Sequence, residues 1–396
     1  LWTDNDHGAK VVVRQAFNEL HEGELIIRDI DEARRNGRNF RDCAVLYRTN
    51  AQSRSLEEAF LRARMPYKII GGTRFYERKE IKDALAYLRL IYQPDDRISF
   101  ERVVNVPARG LGVKSLERLA DFSRQEAIGI MEAADRANDI PGLTSRAQVS
   151  LTSFAHLIAS LRIASEQKTI SELVELMLKK TGYLDFLDDR SIQAEDRIEN
   201  VKELISVAQQ FDTVGLAGFL EEIALIADID NYSTETDAVT LMTLHAAKGL
   251  EFPVVFMPGM EEGIFPHSRT QFSQSELEEE RRLCYVGMTR AREQLTLLHA
   301  SSRLIYGTTQ HNPPSRFILD VPSELLSDGE SDSSSSFGQL REPTFVHLEL
   351  QPGDEIEHAK FGRGIVSQVD GDEIVATFRG VGAKKLSLAF APITKA

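Results

Sequence analysis

The sequence has little of what marks secreted or membrane-spanning chains. Its 396 residues include two cysteines, Cys43 and Cys284. Each sits in an apolar run with no partner at metal-ligand spacing, so both read as small core residues of a reducing compartment. No apolar run approaches the roughly 18 residues of a membrane span. The N-terminus, LWTDNDHGAK, lacks the basic-then-apolar pattern of a secretory leader. A cytoplasmic location is the expectation. The chain opens on leucine rather than methionine, from which we expect that it starts inside a larger protein. Positive charge is also in deficit: 47 Lys and Arg against 61 Asp and Glu leave a net charge of −14. That argues against a broad nucleic-acid surface. It leaves room for a local basic track, because phosphate contacts need Lys and Arg only where they touch.

A nucleotide cradle is missing too. An NTP-driven motor needs a phosphate loop with a lysine, a metal-holding carboxylate and an arginine that stabilises charge on the transferring phosphoryl group. The loop pattern G-x-x-x-x-G-K-[ST] is absent, since no Gly-Lys dipeptide occurs anywhere. A metal-holding Asp-Glu would end a buried strand. Asp31-Glu32 falls in a charged helical stretch and Asp372-Glu373 in a turn, so neither qualifies. The chain by itself is therefore expected neither to bind ATP tightly nor to hydrolyse it.

What is present is an ordinary globular composition, 42% hydrophobic and 27% charged, with length for two to four domains. Val239–Leu244 and Pro253–Met257 read as strands of a parallel sheet, apolar on both faces. Between them lies the polar turn that includes His245, Lys248, Gly249 and Glu251. A helix follows, its apolar side read as Leu277, Cys284, Met288, Ala291 and Leu295, and its other surface as Arg281, Arg282, Arg290 and Arg292. Ligands of open α/β sheets sit at the carboxyl ends of the strands, and Glu251 and the arginines are expected there.

Earlier in the chain, 9–17 is extended and Glu24–Arg35 is an amphipathic helix closed by Asn36-Gly37. Cys43–Arg48 reads as a strand, Ser53–Arg64 as a helix burying Leu56, Phe60 and Ala63, and Tyr67–Ile70 as a strand, together a βαβ unit. From Tyr92 to Thr236 strand signals nearly vanish and amphipathic helices dominate, Val149–Ile163 and Ile170–Lys179 among them. There Arg109-Gly110-Leu111-Gly112-Val113-Lys114-Ser115 precedes a helix start. It fits either a phosphate contact by free N–H groups or a Gly-rich turn with an N-capping serine. Leu295–Ala300 reads as a further strand, PPSRFILDVP (313–322) ends the domain, and SDGESDSSSSFG (327–338) is an acidic, Ser-rich linker. The last segment alternates short strands with Gly turns and reads as a small β-barrel. Six acidic and six basic residues balance over 353–396, which favours a protein partner over nucleic acid.

Two long segments carry a family resemblance. TLHAAKGLEFPVVF and, after it, EEERRLCYVGMTRARE resemble motifs V and VI of superfamily 1 DNA helicases of the UvrD/PcrA type, in the right order and spacing. AVLYRTNAQSRSLEEAF, with GGTRFYERKEIKD behind it, resembles a further motif of that family. The resemblance implies an α/β fold: a RecA-like parallel sheet domain interrupted by an all-α insertion domain and followed by a small Tudor-like β-barrel. The expected division is 1–92 and 237–322 for the sheet domain, 93–236 for the insertion, 323–345 for a linker and 346–396 for the barrel.

By the same resemblance Arg290 is the arginine finger, inserted when two RecA-like domains close. Glu251 contacts the nucleotide, its ordinary alternative being a helix-terminus carboxylate. Arg48 faces nucleotide or DNA, or is a satisfied surface arginine. Thr243, His245 and Lys248 touch single-stranded DNA, as does His267 in GIFPH, where Phe265 and Pro266 fix the turn. Gly110, Gly112, Lys114 and Ser115 resemble a duplex contact. Tyr285 packs, or lies near the nucleotide; no metal ligand is assigned. ATP with Mg2+, held mainly by a first RecA-like domain absent from this sequence, is the implied cofactor. The implied partners are single-stranded DNA, its junction with duplex, and RNA polymerase or a repair protein at 346–396, with no membrane. The implied activity is the C-terminal half of an ATP-dependent 3′-to-5′ DNA helicase of repair or replication. The alternatives are a non-catalytic DNA- or polymerase-binding module and, ranked low for want of a nuclease carboxylate-lysine cluster, a RecB- or AddA-like helicase–nuclease.

Overall fold

The computed structural model describes residues 8–191, 193–230, 237–305 and 307–327, and then 354–358, 362–370, 373–378, 382–387 and 393–395. Two compact units divide the chain, Leu1–Gly329 and Glu330–Ala396. In the first, β1 (Val12–Ala16), α1 (Glu19–Arg35), β2 (Cys43–Tyr47), α2 (Ser53–Arg62) and β3 (Tyr67–Ile70) come in succession. A helical run follows: α3 (Lys79–Tyr92), α4 (Arg97–Val103), α5 (Val113–Glu126), α6 (Ile130–Asp135), α7 (Ser145–Ser165), α8 (Ile170–Thr181), α9 (Tyr183–Leu187), α10 (Ala194–Gln209) and α11 (Gly215–Asp230). The chain then returns with β4 (Val239–Thr243), β5 (Phe252–Met257), α12 (Gln274–Met288), β6 (Ala291–Ala300), the hairpin of β7 (Arg303–Ile305) and β8 (Thr308–Gln310), and α13 (Arg316–Leu319).

One parallel sheet, ordered β1-β6-β5-β2-β4-β3, carries the first unit. Strand residues alternate between its two faces. Val45, Tyr47, Leu241, Val254 and Phe256 pack with Ile26, Ile30 and Phe60 of α1 and α2. Ala44, Leu46, Met242, Val255 and Met257 pack with Leu277 and Cys284 of α12. Every residue of β2 is buried, as a central strand covered on both faces requires. β2 and β3 form the expected parallel unit, with β4 inserted between them.

Several element bounds differ from the sequence reading, each for a local reason. α1 starts at Glu19, five residues early, because the Asn18 side chain accepts a hydrogen bond from His21 N at 2.9 Å and caps it. α2 stops at Arg62, since Arg64 takes a left-handed backbone at φ +53°, which leaves Ala63 exposed instead of on the packed face. α12 stops at Met288, and a turn closed by Arg290 N on Gly287 O leads into β6. Ala291 and Leu295 are thus strand residues and not part of the helix, and Arg290 and Arg292 lie beyond its end. β6 begins four residues before the apolar run because Ala291–Gln294 form its half-exposed start. The helical run packs on its own apolar core, which reaches back to Phe75 and α3 and forward to Ile223.

The second unit is described by its strands, β9 (Glu355–His358), β10 (Gly362–Asp370), β11 (Glu373–Phe378), β12 (Gly382–Ser387) and β13 (Ile393–Lys395). They pair antiparallel in the order β12-β11-β10-β9-β13, with Ile356, Val366, Ala376 and Phe378 buried. The expected linker lies, from residue 328 onward, outside the described residues.

α12 reaches the sheet closely at Gly287. A Cβ there would lie 2.4 Å from Leu244 Cδ2 and 3.0 Å from Met257 Cε, both side chains fully enclosed. Gly287→Ala is expected to lower the unfolding free energy by about 1–3 kcal/mol, the usual cost of overpacking. This is despite alanine being the better helix former by about 1 kcal/mol. Urea denaturation checks it, and an unchanged or raised midpoint would contradict the packing.

Candidate functional site

The two ends of the sheet carry different chemistry. After β4 the chain turns at Leu244, whose N–H donates to Tyr47 O, and runs back across the sheet through Gly249 (φ +86°) to the amino end of β5. There Phe252 N donates to Arg290 O at 2.8 Å, and Phe252 sits in register with Ala291. Glu251 and Arg290 are therefore brought together at the amino ends of β5 and β6, not at the carboxyl ends. Each residue precedes its strand, so the usual location of α/β ligand sites misplaces both. Nor does Glu251 end a helix: it accepts from Arg292 Nε at 3.1 Å, an exposed pair.

Arg290 is half-buried. Its Nε donates to Val286 O at 3.0 Å, its Nη1 to Leu250 O at 2.9 Å and its Nη2 to Thr289 Oγ1 at 3.1 Å. All three acceptors are neutral. Among the described residues no carboxylate pairs with it, whereas Arg48, Arg54, Arg269, Arg292 and Arg303 each face at least one. Tyr285 projects nearby on α12, 48% exposed.

Arg48 is not part of that edge. It follows β2 at the carboxyl end, roughly 26 Å along the strands from Arg290 at about 3.3 Å per residue. Its Nε and Nη2 donate to Glu280 of α12 at 2.9 and 2.8 Å. Glu280, only 5% exposed, also accepts from the backbone N–H of His267 at 3.0 Å. Sequence reasoning missed Glu280, although a signal existed. It lies between Leu277 and Cys284 on the helix's apolar stripe, where a carboxylate needs a buried partner.

α10 covers this carboxyl end with an acidic face. Glu199 meets His267 Nε2 at 3.1 Å, Glu195 pairs with Arg269, Asp196 accepts from Asn50, and Glu203 accepts from the fully buried Arg54 at 2.7 Å. Because His267 Nδ1 accepts from Arg269 Nε at 3.3 Å, the Nε2 proton points to Glu199. Both ring nitrogens of His267 are engaged and the residue is 7% exposed. Thr243 Oγ1 accepts from Ala246 N at 3.4 Å and shapes the turn. His245 and Lys248 are exposed, and Lys248 has no polar partner among the described residues. Burial first and Glu199 second raise Asp196 above the usual carboxylate range.

In the helical run, Gly110 (φ +73°) and Gly112 are exposed and Gly112 caps α5 with no side-chain hydrogen bond, so Ser115 is not an N-cap. Lys114 is exposed. Arg109 turns inward: its Nη1 donates to Val103 and Val104 carbonyls, and its guanidinium lies 4.8 Å from the Phe154 ring centre. A groove of about 750 Å³ between α1 and α2, lined in part by Leu20, Ile27, Arg28 and Ala59, contains none of the predicted site residues. Among the described residues no cluster of metal-ligating side chains forms, and no helix is long and apolar enough to cross a membrane.

Desolvation first, and the positive charge of Arg48 second, hold the His245 imidazole below its ordinary 6.5. The sign follows. Neutral His245 is favoured in the fold, so its contribution to stability is present above pH 6.5 and is lost as pH falls through the lower folded-state value. In NMR titration the His245 midpoint should lie below 6.5 and rise in Arg48→Met. A midpoint at or above 6.5 in the unsubstituted chain would contradict the arrangement.

Comparison with known proteins places these features in a family. Residues 1–302 match the family model of the UvrD-like helicase C-terminal domain, and residues 353–395 that of the PcrA/UvrD tudor domain. The chain is 43% identical to the ATP-dependent DNA helicase PcrA of Bacillus subtilis (strain 168) over its whole length. It is 40% identical to that of Staphylococcus aureus (strain NCTC 8325 / PS 47) and 39% to that of Staphylococcus epidermidis (strain ATCC 12228 / FDA PCI 1200), again over its whole length. It spans 58% of the length of each of these relatives.

Proposed function

The chain belongs to the UvrD-like helicase family, and from that premise we propose that it forms the C-terminal half of an ATP-dependent 3′-to-5′ DNA helicase of repair or replication. It would supply the arginine finger and part of the single-strand track. The observation that carries this reading is the uncompensated charge of Arg290. Its guanidinium stands at an accessible edge, held by two carbonyls and a hydroxyl. A planar, always-charged fork without a carboxylate partner suits phosphate oxygens.

A nucleotide bound between this edge and a second lobe would meet Arg290 and Glu251. ATP with Mg2+ supplies the phosphoryl chemistry, and the second lobe would hold most of it, because this chain has no Gly-Lys phosphate loop. Glu251, released from Arg292, would contact the nucleotide. Thr243, His245 and Lys248 would meet single-stranded DNA, with Lys248 the cation free to neutralise a phosphate. His267 would join them only once Glu199 withdraws. Gly110, Gly112, Lys114 and Ser115 would touch duplex at the junction. Arg48 serves the DNA side in this reading, not the nucleotide. Residues 346–396 would bind a protein partner, RNA polymerase or a repair factor. A chain acting without the second lobe would keep the binding contacts and lose turnover.

The test is ATP turnover of the full-length protein with and without single-stranded DNA. Arg290→Ala should reduce turnover by about 10³-fold or more, the usual worth of an arginine finger, while ATP still binds. Lys248→Ala should raise the DNA concentration needed for half-maximal stimulation. Normal turnover in Arg290→Ala refutes the finger, and unchanged stimulation by DNA in Lys248→Ala refutes the track.

A further inference from the structure

Glu280 occupies a point where the two ends of the site become one mechanical unit. Its buried carboxylate takes both Nε and Nη2 of Arg48, at 2.9 and 2.8 Å, and the backbone N–H of His267 at 3.0 Å. Charge-assisted bonds of this kind fix position as well as energy. Arg48 follows Tyr47, whose carbonyl accepts from Leu244 N–H at 2.8 Å, so it stands beside the turn that begins at His245. On the other side Glu280 belongs to α12, which rises about 12 Å from it to Met288 at 1.5 Å per residue. Near its far end the helix is seated closely on the sheet, Gly287 lying against Leu244 and Met257 with no room for a Cβ. Arg290 is tied to that last turn through Val286 O.

We propose that Glu280 is a positioning residue that couples strand occupancy to the arginine finger: it anchors α12, and through it Arg290, to the DNA-facing turn. A backbone phosphate arriving beside His245 competes with the Glu280 carboxylate for the Arg48 guanidinium. The resulting shift is delivered along α12 to the edge where Arg290 stands. Such a coupling exists only to the extent that DNA binds the two positions of Arg48 differently. The inference rests on the reading of Arg290 as the finger, and the test separates the two.

In the full-length protein, the ratio of ATP turnover at saturating oligo-dT to turnover without DNA is the readout. Glu280→Gln keeps the shape and one acceptor but removes the charge that holds Arg48. The ratio is expected to fall about tenfold, within the span of allosteric couplings, because the DNA-stimulated rate loses far more than the unstimulated one. Glu280→Asp keeps the charge but draws the carboxylate back by one methylene, and should lose a smaller part of the ratio. It carries the test if the glutamine variant does not fold. An undiminished ratio in folded variants overturns the proposal. So does an equal loss of both rates, which a purely structural defect would give. Arg290→Ala measured alongside identifies which idea fails. If it is inactive while the Glu280 variants keep the ratio, only the coupling falls; if it is active, the finger itself falls.

Discussion

Gly287 lets α12 lie against Leu244 and Met257 at a distance that any side chain would forbid, and the geometry of both ends of the sheet follows from that contact. The helix touches the turn after β4 and the last residue of β5 at once. Both contacts lie at the carboxyl ends of their strands, and it is the turn after the helix, through Arg290, that reaches the amino ends of β5 and β6. A packed core is bistable rather than compliant, so a helix seated this closely moves as a body with what it touches. The two edges of the sheet, roughly a strand length apart, are in this way joined by one helix.

Charge is distributed between those edges unequally. At the carboxyl end three guanidiniums meet carboxylates, Arg48 at Glu280, Arg269 at Glu195 and Arg54 at Glu203, and the His267 ring meets Glu199. The acidic face of α10 supplies three of those four partners, which helps explain how a net charge of −14 coexists with a sheet edge rich in arginine. At the amino end Arg290 has, among the described residues, no carboxylate partner. A guanidinium held by neutral acceptors retains its charge and its fork geometry for a later anion. The pairs made by α10 hold the helical run on the sheet, and Arg290 keeps a charge that no carboxylate among the described residues meets.

Much of this was legible in the residues. The apolar strand runs, the helical interval and the alternating last segment announced the α/β lobe, the insertion and the small β module, because periods of 2 and 3.6 follow directly from where side chains point. Local signals set bounds less well. The Asn18 cap and the left-handed Arg64 moved helix ends, and the half-exposed start of β6 hid behind polar residues. The candidate site residues could be named from the sequence, but their placement could not. Arg290 and Glu251 precede their strands, and nothing in a one-dimensional pattern tells a residue before a strand from one after the preceding helix. Glu280 was visible as a carboxylate on an apolar stripe, yet its partners, Arg48 and His267, come from remote segments that only the fold brings together. The carboxylates of α10 likewise find partners, Arg54, His267 and Arg269, that lie far away in the sequence.

The central claim is that the amino ends of β5 and β6, and not the carboxyl ends, face the nucleotide. A structure of the full-length protein with a non-hydrolysable ATP analogue and single-stranded DNA tests it most directly. The terminal phosphate should lie about 3 Å from the Arg290 guanidinium, hydrogen-bond distance, with DNA phosphates near His245 and Lys248. A nucleotide bound beside Arg48 at the carboxyl ends, with Arg290 facing only solvent or protein, would contradict the account.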